Sequence, residues 1–169
     1  MGKRVILITG LMAAGKTTIA QAVAERLPKS VHLHGDIFRT MIVSGRIDMS
    51  NEAGEEAFLQ LKLRYQLTAQ AARTYFENGF NVVIQDNYYC EMLPYMLELL
   101  KGLPVETIVL CPSVETITRR EAERSKSGYT GYDIRPLYES FMNGTPRIGR
   151  WIDNGNKTID ETVSEILGR

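Results

Sequence analysis

An α/β fold, a parallel sheet layered between helices, is predicted by three features of this sequence. Short apolar runs alternate with longer stretches patterned at helical spacing. The run Val5-Ile6-Leu7-Ile8 leads directly into Gly10-Leu11-Met12-Ala13-Ala14-Gly15-Lys16-Thr17, a G-x-x-x-x-G-K-[ST] match between a strand and a helix. Acidic residues follow three of the five candidate strands, at the carboxyl edge where open parallel sheets bind their ligands.

The candidate strands run over 4–9, 30–33, 81–85, 106–111 and 149–152. The first candidate helix, 16–27, is stopped by Pro28. Helices follow over 37–43, 52–78, 92–101, 114–125 and 135–142. The last, 159–167, is introduced by the capping box Thr158-x-x-Glu161 and carries Ile159, Val163, Ile166 and Leu167 on one stripe. At 169 residues, without repeats or a linker, the expectation is one domain spanning 1–169.

Twenty Lys and Arg balance twenty Asp and Glu, so no global basic field points to nucleic acid or an anionic membrane. Cys90 and Cys111 fit neither a metal spacing nor a secreted disulfide framework. The opening apolar run is too short for a signal peptide, and no run approaches the roughly twenty residues of a membrane span. These readings predict a soluble cytoplasmic protein of undetermined oligomeric state.

The glycine-lysine motif predicts a nucleotide site. Its backbone amides and the following helix N-terminus are suited to phosphate oxygens. Lys16 reaches toward the β- and γ-phosphates, and the Thr17 hydroxyl is a Mg²⁺ ligand candidate. Gly10, Ala13, Ala14, Gly15 and Thr18 complete the predicted nucleotide contacts. After the second strand, Asp36 is placed to accept a proton from a substrate hydroxyl, with helix capping as its alternative role. Arg39, one turn later, suits a polar or anionic part of a second substrate. After Val82-Val83-Ile84-Gln85, Asp86 has the position of a magnesium-organising acid, and Asn87, Tyr88 and Tyr89 would line the acceptor pocket.

Helical spacing divides the arginines of 113–124. Arg119, four residues from Glu115 and from Glu123, reads as a solvated salt-bridge stripe, whereas Arg120 and Arg124 share a face with Thr116 that could meet a triphosphate. The segment 125–133, with Gly128 and Gly131, reads as a flap that excludes water. His32 and His34 share a strand face without a third ligand, so packing is the simpler role. Asn156-Lys157 has the look of a guanine-recognition motif, but Ile159 stands where its acid belongs.

With these motifs in place, the chain resembles the small P-loop kinases, in particular the chloramphenicol phosphotransferase-like proteins and the gluconate and adenylylsulfate kinases. The resemblance rests on GLMAAGKTT, HGDIFR, NVVIQDN, VLCPSVETITRREAER and GRWIDNGNKTIDETVSEIL, in that order. It implies a P-loop NTPase fold with strand order 2-3-1-4-5, ATP and Mg²⁺ as donor, and a lid supplying arginines. It also implies Asp36 as base, and adenine near Asn154 to Asn156. The lid lacks the dense arginines of nucleoside monophosphate kinases. The acceptor side instead carries Phe38, Met41, Ile42, Met49, Phe58, Tyr88, Tyr89 and Tyr95, with Arg39, Arg46 and Arg64 among them. A small hydroxyl compound with an apolar body fits this composition, chloramphenicol-like alcohols before sugar acids or nucleosides. A nucleotide-sensing ATPase switch is the alternative from another class.

Overall fold

A computed structural model describes residues 2–125, 128–129 and 132–168. Its elements follow one another as β1 Val5–Gly10, α1 Lys16–Glu25, β2 Ser30–His34, α2 Asp36–Thr40, α3 Glu55–Glu77, β3 Asn81–Gln85 and α4 Met92–Leu99. Then come β4 Val105–Leu110, α5 Val114–Ala122, α6 Ile134–Gly144, β5 Arg150–Ile152 and α7 Ile159–Leu167. The five strands form one parallel sheet in the order β2-β3-β1-β4-β5.

β1 lies at the centre, and all six of its residues are buried. Its side chains alternate between two cores, as the period-two geometry of a strand requires. Ile6 and Ile8 pack with Ile19, Val23, Val163 and Ile166 of α1 and α7. Val5 and Leu7 pack with Tyr65, Ala69, Leu93 and Met96 of α3 and α4. A third cluster, built on Leu11, Val109, Ile117 and Phe141, seats α5 and α6 beside the loop that joins β1 to α1. Every strand therefore delivers its carboxyl end to the same edge, between the two helical layers.

Several predicted helices are shorter in the structure, and local hydrogen bonds explain where they stop. α3 begins at Glu55 instead of position 52 because Ser50 accepts from both the Ala53 and Glu52 amides and folds 50–53 into a separate turn. α2 ends at Thr40, three residues early, and the Thr40 hydroxyl donates back to the Ile37 carbonyl. α5 ends at Ala122, where the Arg124 amide tightens to an i→i−3 bond on Glu121. α7 begins at the predicted capping box, with both reciprocal bonds between Thr158 and Glu161 formed.

Candidate active site

The loop between β1 and α1 wraps back on itself. The Ala14 amide donates to the Leu11 carbonyl at 3.1 Å, Ala13 has φ 65°, and Gly15 caps α1 with φ 93°. That left-handed conformation suits glycine, which has no Cβ to collide with the backbone. Lys16 is buried at the start of α1, and its ammonium donates to the Leu11 carbonyl at 2.8 Å. Burial lowers its pKa to about 7; Asp86 draws it back up, while Arg124 and Arg64 push it further down.

At the ends of β2 and β3 the backbone brings two carboxylates together. The Gly35 amide donates to the Gln85 carbonyl at 3.1 Å, and a Cβ on Gly35 would stand 2.4 Å from Asp86 Oδ2 and 3.1 Å from Thr68 Oγ1. Only glycine leaves room for this approach. Arg64, from the middle of α3, bridges the pair. Its Nε donates to Asp86 Oδ2 at 2.7 Å, its second terminal nitrogen to Asp86 Oδ1, and its first to Asp36 Oδ1 at 2.9 Å. Arg39 grips Asp36 from the other side through Nε at 2.6 Å and a terminal nitrogen at 3.0 Å, and extends its remaining terminal nitrogen to Asp48 at 2.7 Å. The result is a chain of alternating charge, Asp48, Arg39, Asp36, Arg64 and Asp86, running from an exposed loop to a buried strand end. The hydrogen bond from Arg39 dominates in holding the Asp36 carboxyl below its usual range; partial desolvation opposes it, and Arg64 adds to it.

One cleft of about 1250 Å³ joins this ionic floor to the phosphate loop. Ala13, Gly15, Lys16, Thr17, Thr18, Asp36, Phe38, Arg39, Arg64, Asp86, Asn87, Arg120 and Arg124 all line it, so most of the predicted site residues meet there. Its lining also includes the apolar side chains of Phe38, Ile42, Ile47, Met49, Phe58 and Leu61, interspersed with Thr40, Asp48, Ser50 and Gln60. Gly10 and Ala14 are structural parts of the loop behind the cleft, and Ala14 is fully buried. Arg120 joins the loop to the segment after β5, donating to the Ala14 carbonyl at 3.3 Å and the Asn154 carbonyl at 3.0 Å. Asn154 is buried and donates its amide to the same Ala14 carbonyl at 2.9 Å, leaving its side-chain oxygen without a partner. Asn156 is exposed on the adjacent turn.

Tyr88 and Asp86 depart from the sequence expectation. Tyr88 does not line the cleft: it is fully buried, its ring stacks edge-on against Tyr65 with centroids 4.7 Å apart, and its backbone amide and carbonyl both bond Thr9 Oγ1. Asp86 is not a free metal ligand, because Arg64 takes both of its oxygens and the Asn87 amide donates to Oδ1 as well. Thr17 does fit Mg²⁺. Thr17 lines the cleft, Gln85 Nε2 donates to its hydroxyl at 3.3 Å, and a hydroxyl oxygen is a donor of the kind this cation takes.

Other expected wall residues lie elsewhere: Tyr95 accepts from Gln66 on the α3–α4 surface, Met41 is exposed, and Arg46 faces Asp48 at 3.5 Å. Glu115 faces Arg135 at 3.8 Å instead of forming the expected stripe with Arg119. His32 accepts or donates at Gln21 and stacks near His34, which borders the cleft. Of the predicted flap 125–133, residues 126, 127, 130 and 131 lie outside the described residues. Sequence reasoning missed Gln85, Asp48, Glu121 and Tyr129. A lone polar side chain ending the apolar strand 82–84 was a signal for Gln85; the others are joined to the site only by tertiary contacts.

The chain is similar over nearly its whole length to several solved structures. A sugar kinase from Janibacter sp. matches with TM-score 0.70 and 17% identity, covering 98% of this chain and 93% of that one. The tunicamycin resistance protein of Deinococcus radiodurans matches with TM-score 0.73 and 15% identity over 98% and 94%. The APS kinase of Mycobacterium tuberculosis, solved with AMPPNP and APS, matches with TM-score 0.70 and 14% identity over 99% and 96%. No curated protein matches the sequence. At these identities the likeness is one of fold, and it is the fold of the small P-loop kinases. Residues 5–135 match the family model described as an AAA domain, and the chain belongs to that family.

Proposed function

We propose that this protein transfers the γ-phosphate of ATP to a hydroxyl of a small molecule with a partly apolar body, of which chloramphenicol-type alcohols are the leading candidates. The observation that carries the reading is the common cleft: Asp36 and the phosphate-loop Lys16 line one cavity, whose lining also includes Phe38, Ile42, Met49, Phe58 and Leu61. In this reading the loop amides and Lys16 hold the donor, and Arg120 and Arg124 balance charge on the transferring group. Thr17 would hold Mg²⁺, which when bound neutralises phosphate charge. Asn154 and Asn156 border the base.

Asp36 positions the acceptor. The acceptor oxygen forms a bond to the γ-phosphorus, the bond to the bridging oxygen breaks, ADP leaves, and the hydroxyl proton passes to the Asp36 carboxylate. A carboxylate held by two arginines is a weak base, which suits phosphoryl transfer: in a loose transition state the proton leaves late, and orientation of the hydroxyl matters more than basicity. Arg39, Arg64, Phe38 and Asn87 would frame the acceptor.

Two arginines in the floor favour, as a second reading, an acidic sugar-like acceptor, although each already grips a carboxylate. ADP release measured across chloramphenicol, tunicamycin, nucleosides, gluconate and adenylylsulfate, with product mass showing one added phosphate, separates the readings. Turnover with the apolar alcohols ahead of gluconate is expected. Gluconate turnover without any apolar alcohol promotes the second reading, and ATP hydrolysis indifferent to every acceptor points to a nucleotide switch.

A further inference from the structure

On the far side of the phosphate loop a single carboxylate holds two unlike partners. Glu121, in the last turn of α5, has a side chain only 10% exposed; its Oε2 accepts from the Arg124 guanidinium at 3.0 Å, and its Oε1 accepts the Gly128 amide. Gly128 is pressed into place between that guanidinium and the phosphate loop. A Cβ there would stand 2.7 Å from Arg124 Nη1 and 3.0 Å from Met12 Cβ. The next residue, Tyr129, is buried and donates its hydroxyl to the Met12 carbonyl at 2.8 Å. A carboxylate this sheltered needs partners for its charge, and the two it has belong to the cleft-lining arginine and to the segment packed on the loop.

We propose that Glu121 is a positioning residue: one oxygen restrains Arg124 in the nucleotide-free protein, and the other fixes the Gly128–Tyr129 segment against the phosphate loop. This rests on the reading that Arg124 meets the triphosphate. The phosphates then compete with Glu121 for one guanidinium, while the Gly128 amide keeps its acceptor and the Tyr129 contact with Met12 stays in register. Glu121 thus weakens nucleotide affinity slightly and in exchange keeps Arg124 ordered beside the site.

Glu121→Gln separates the two roles, since the amide oxygen still accepts the Gly128 N–H but no longer holds Arg124 by charge. Calorimetric titration of the whole protein with Mg²⁺-AMPPNP is expected to show binding about two- to fivefold tighter than wild type, the scale of a partly exposed ion pair. In an Arg124→Ala background the same substitution is expected to leave Kd unchanged, a dependence that a merely structural role for Glu121 would not produce. Melting curves by circular dichroism establish that each variant is folded. Should Glu121→Gln destabilise the fold, Tyr129→Phe supplies the second test: it leaves the ion pair intact and is expected to weaken nucleotide binding by loosening the segment from Met12. Equal Kd for wild type and Glu121→Gln, or an equal shift with and without Arg124, overturns the proposal while leaving the kinase reading in place. Failure of the wild type to bind AMPPNP overturns both.

Discussion

Nucleotide binding should draw a proton onto Lys16, and calorimetry can count it. In the free protein burial lowers the Lys16 pKa to about 7, with Arg124 and Arg64 adding to the effect and Asp86 opposing it. A triphosphate placed at that ammonium supplies several negative charges and returns the group toward its ordinary value near 10.4. At pH 8 the free lysine is then about 90% neutral and binding takes up about 0.9 proton; at pH 6 the uptake falls to about 0.1. Kd for Mg²⁺-ATP consequently rises about tenfold for each pH unit between about 7 and 10. The assay is titration with Mg²⁺-AMPPNP in phosphate and in Tris at one pH, because apparent enthalpies differ by the proton uptake multiplied by the difference in buffer ionisation enthalpy. Lys16→Met should bind more weakly and show no buffer dependence near pH 8. Equal enthalpies in both buffers for the wild type, or undiminished proton uptake in Lys16→Met, would refute the argument. The same pKa has a consequence for the free protein: between pH 7 and the unfolded value the unfolded chain binds more protons at this site than the native one, so this lysine makes the native state more stable as pH rises through that window.

Asp36→Asn should leave AMPPNP affinity near wild type and lower kcat for acceptor phosphorylation by roughly a hundredfold, the usual scale for a lost proton acceptor; normal turnover would reduce Asp36 to a structural residue. Because the Asp36 carboxyl lies below its ordinary range, it stays ionised to lower pH, so turnover should hold through mildly acidic conditions and fall only below the usual carboxylate pKa; a pH–rate profile tests this. Arg64→Met leaves Asp86 buried without its cation, and urea melts should register a loss of about 3–5 kcal/mol. Gly35→Ala forces a methyl group into a carboxylate clamped by Arg64 and should cost about 1–3 kcal/mol by the same measurement, with wild-type stability refuting the close approach.

The order of strands and helices was legible because it is written locally. Apolar runs of four to six residues, a glycine-lysine turn and a capping box each act within a few positions of themselves, and all reappear in place. Helix ends were less legible because they depend on single competing bonds, such as Ser50 on the amides of 52 and 53. The site divides in the same way. Its phosphate loop and the strand-end acids could be read, but Asp86 looked free until α3 brought Arg64 against it from 22 residues away. Tyr88 looked like a wall residue from its place after Asp86, yet the chain turns its ring inward to Tyr65 and fixes its backbone to Thr9, 79 residues earlier. Glu121 carries no sequence signal of its role, because the bond to the Gly128 amide is made only by the folded chain.

The alternating ionic chain has its two ends in very different settings. Asp86 and Arg64 are walled in at the inner end, where a change of charge disturbs the core, while Asp48 sits half exposed on the irregular segment between α2 and α3. A neutral residue at position 48 would release the guanidinium nitrogen of Arg39 that Asp48 holds, while the two bonds from Arg39 to Asp36 do not involve Asp48; on the proposed reading, that change is expected to favour an acceptor carrying a carboxylate. If the proposed transfer holds, acceptor charge preference would be set on an exposed loop and the chemistry at buried strand ends, so the two are expected to respond to different substitutions.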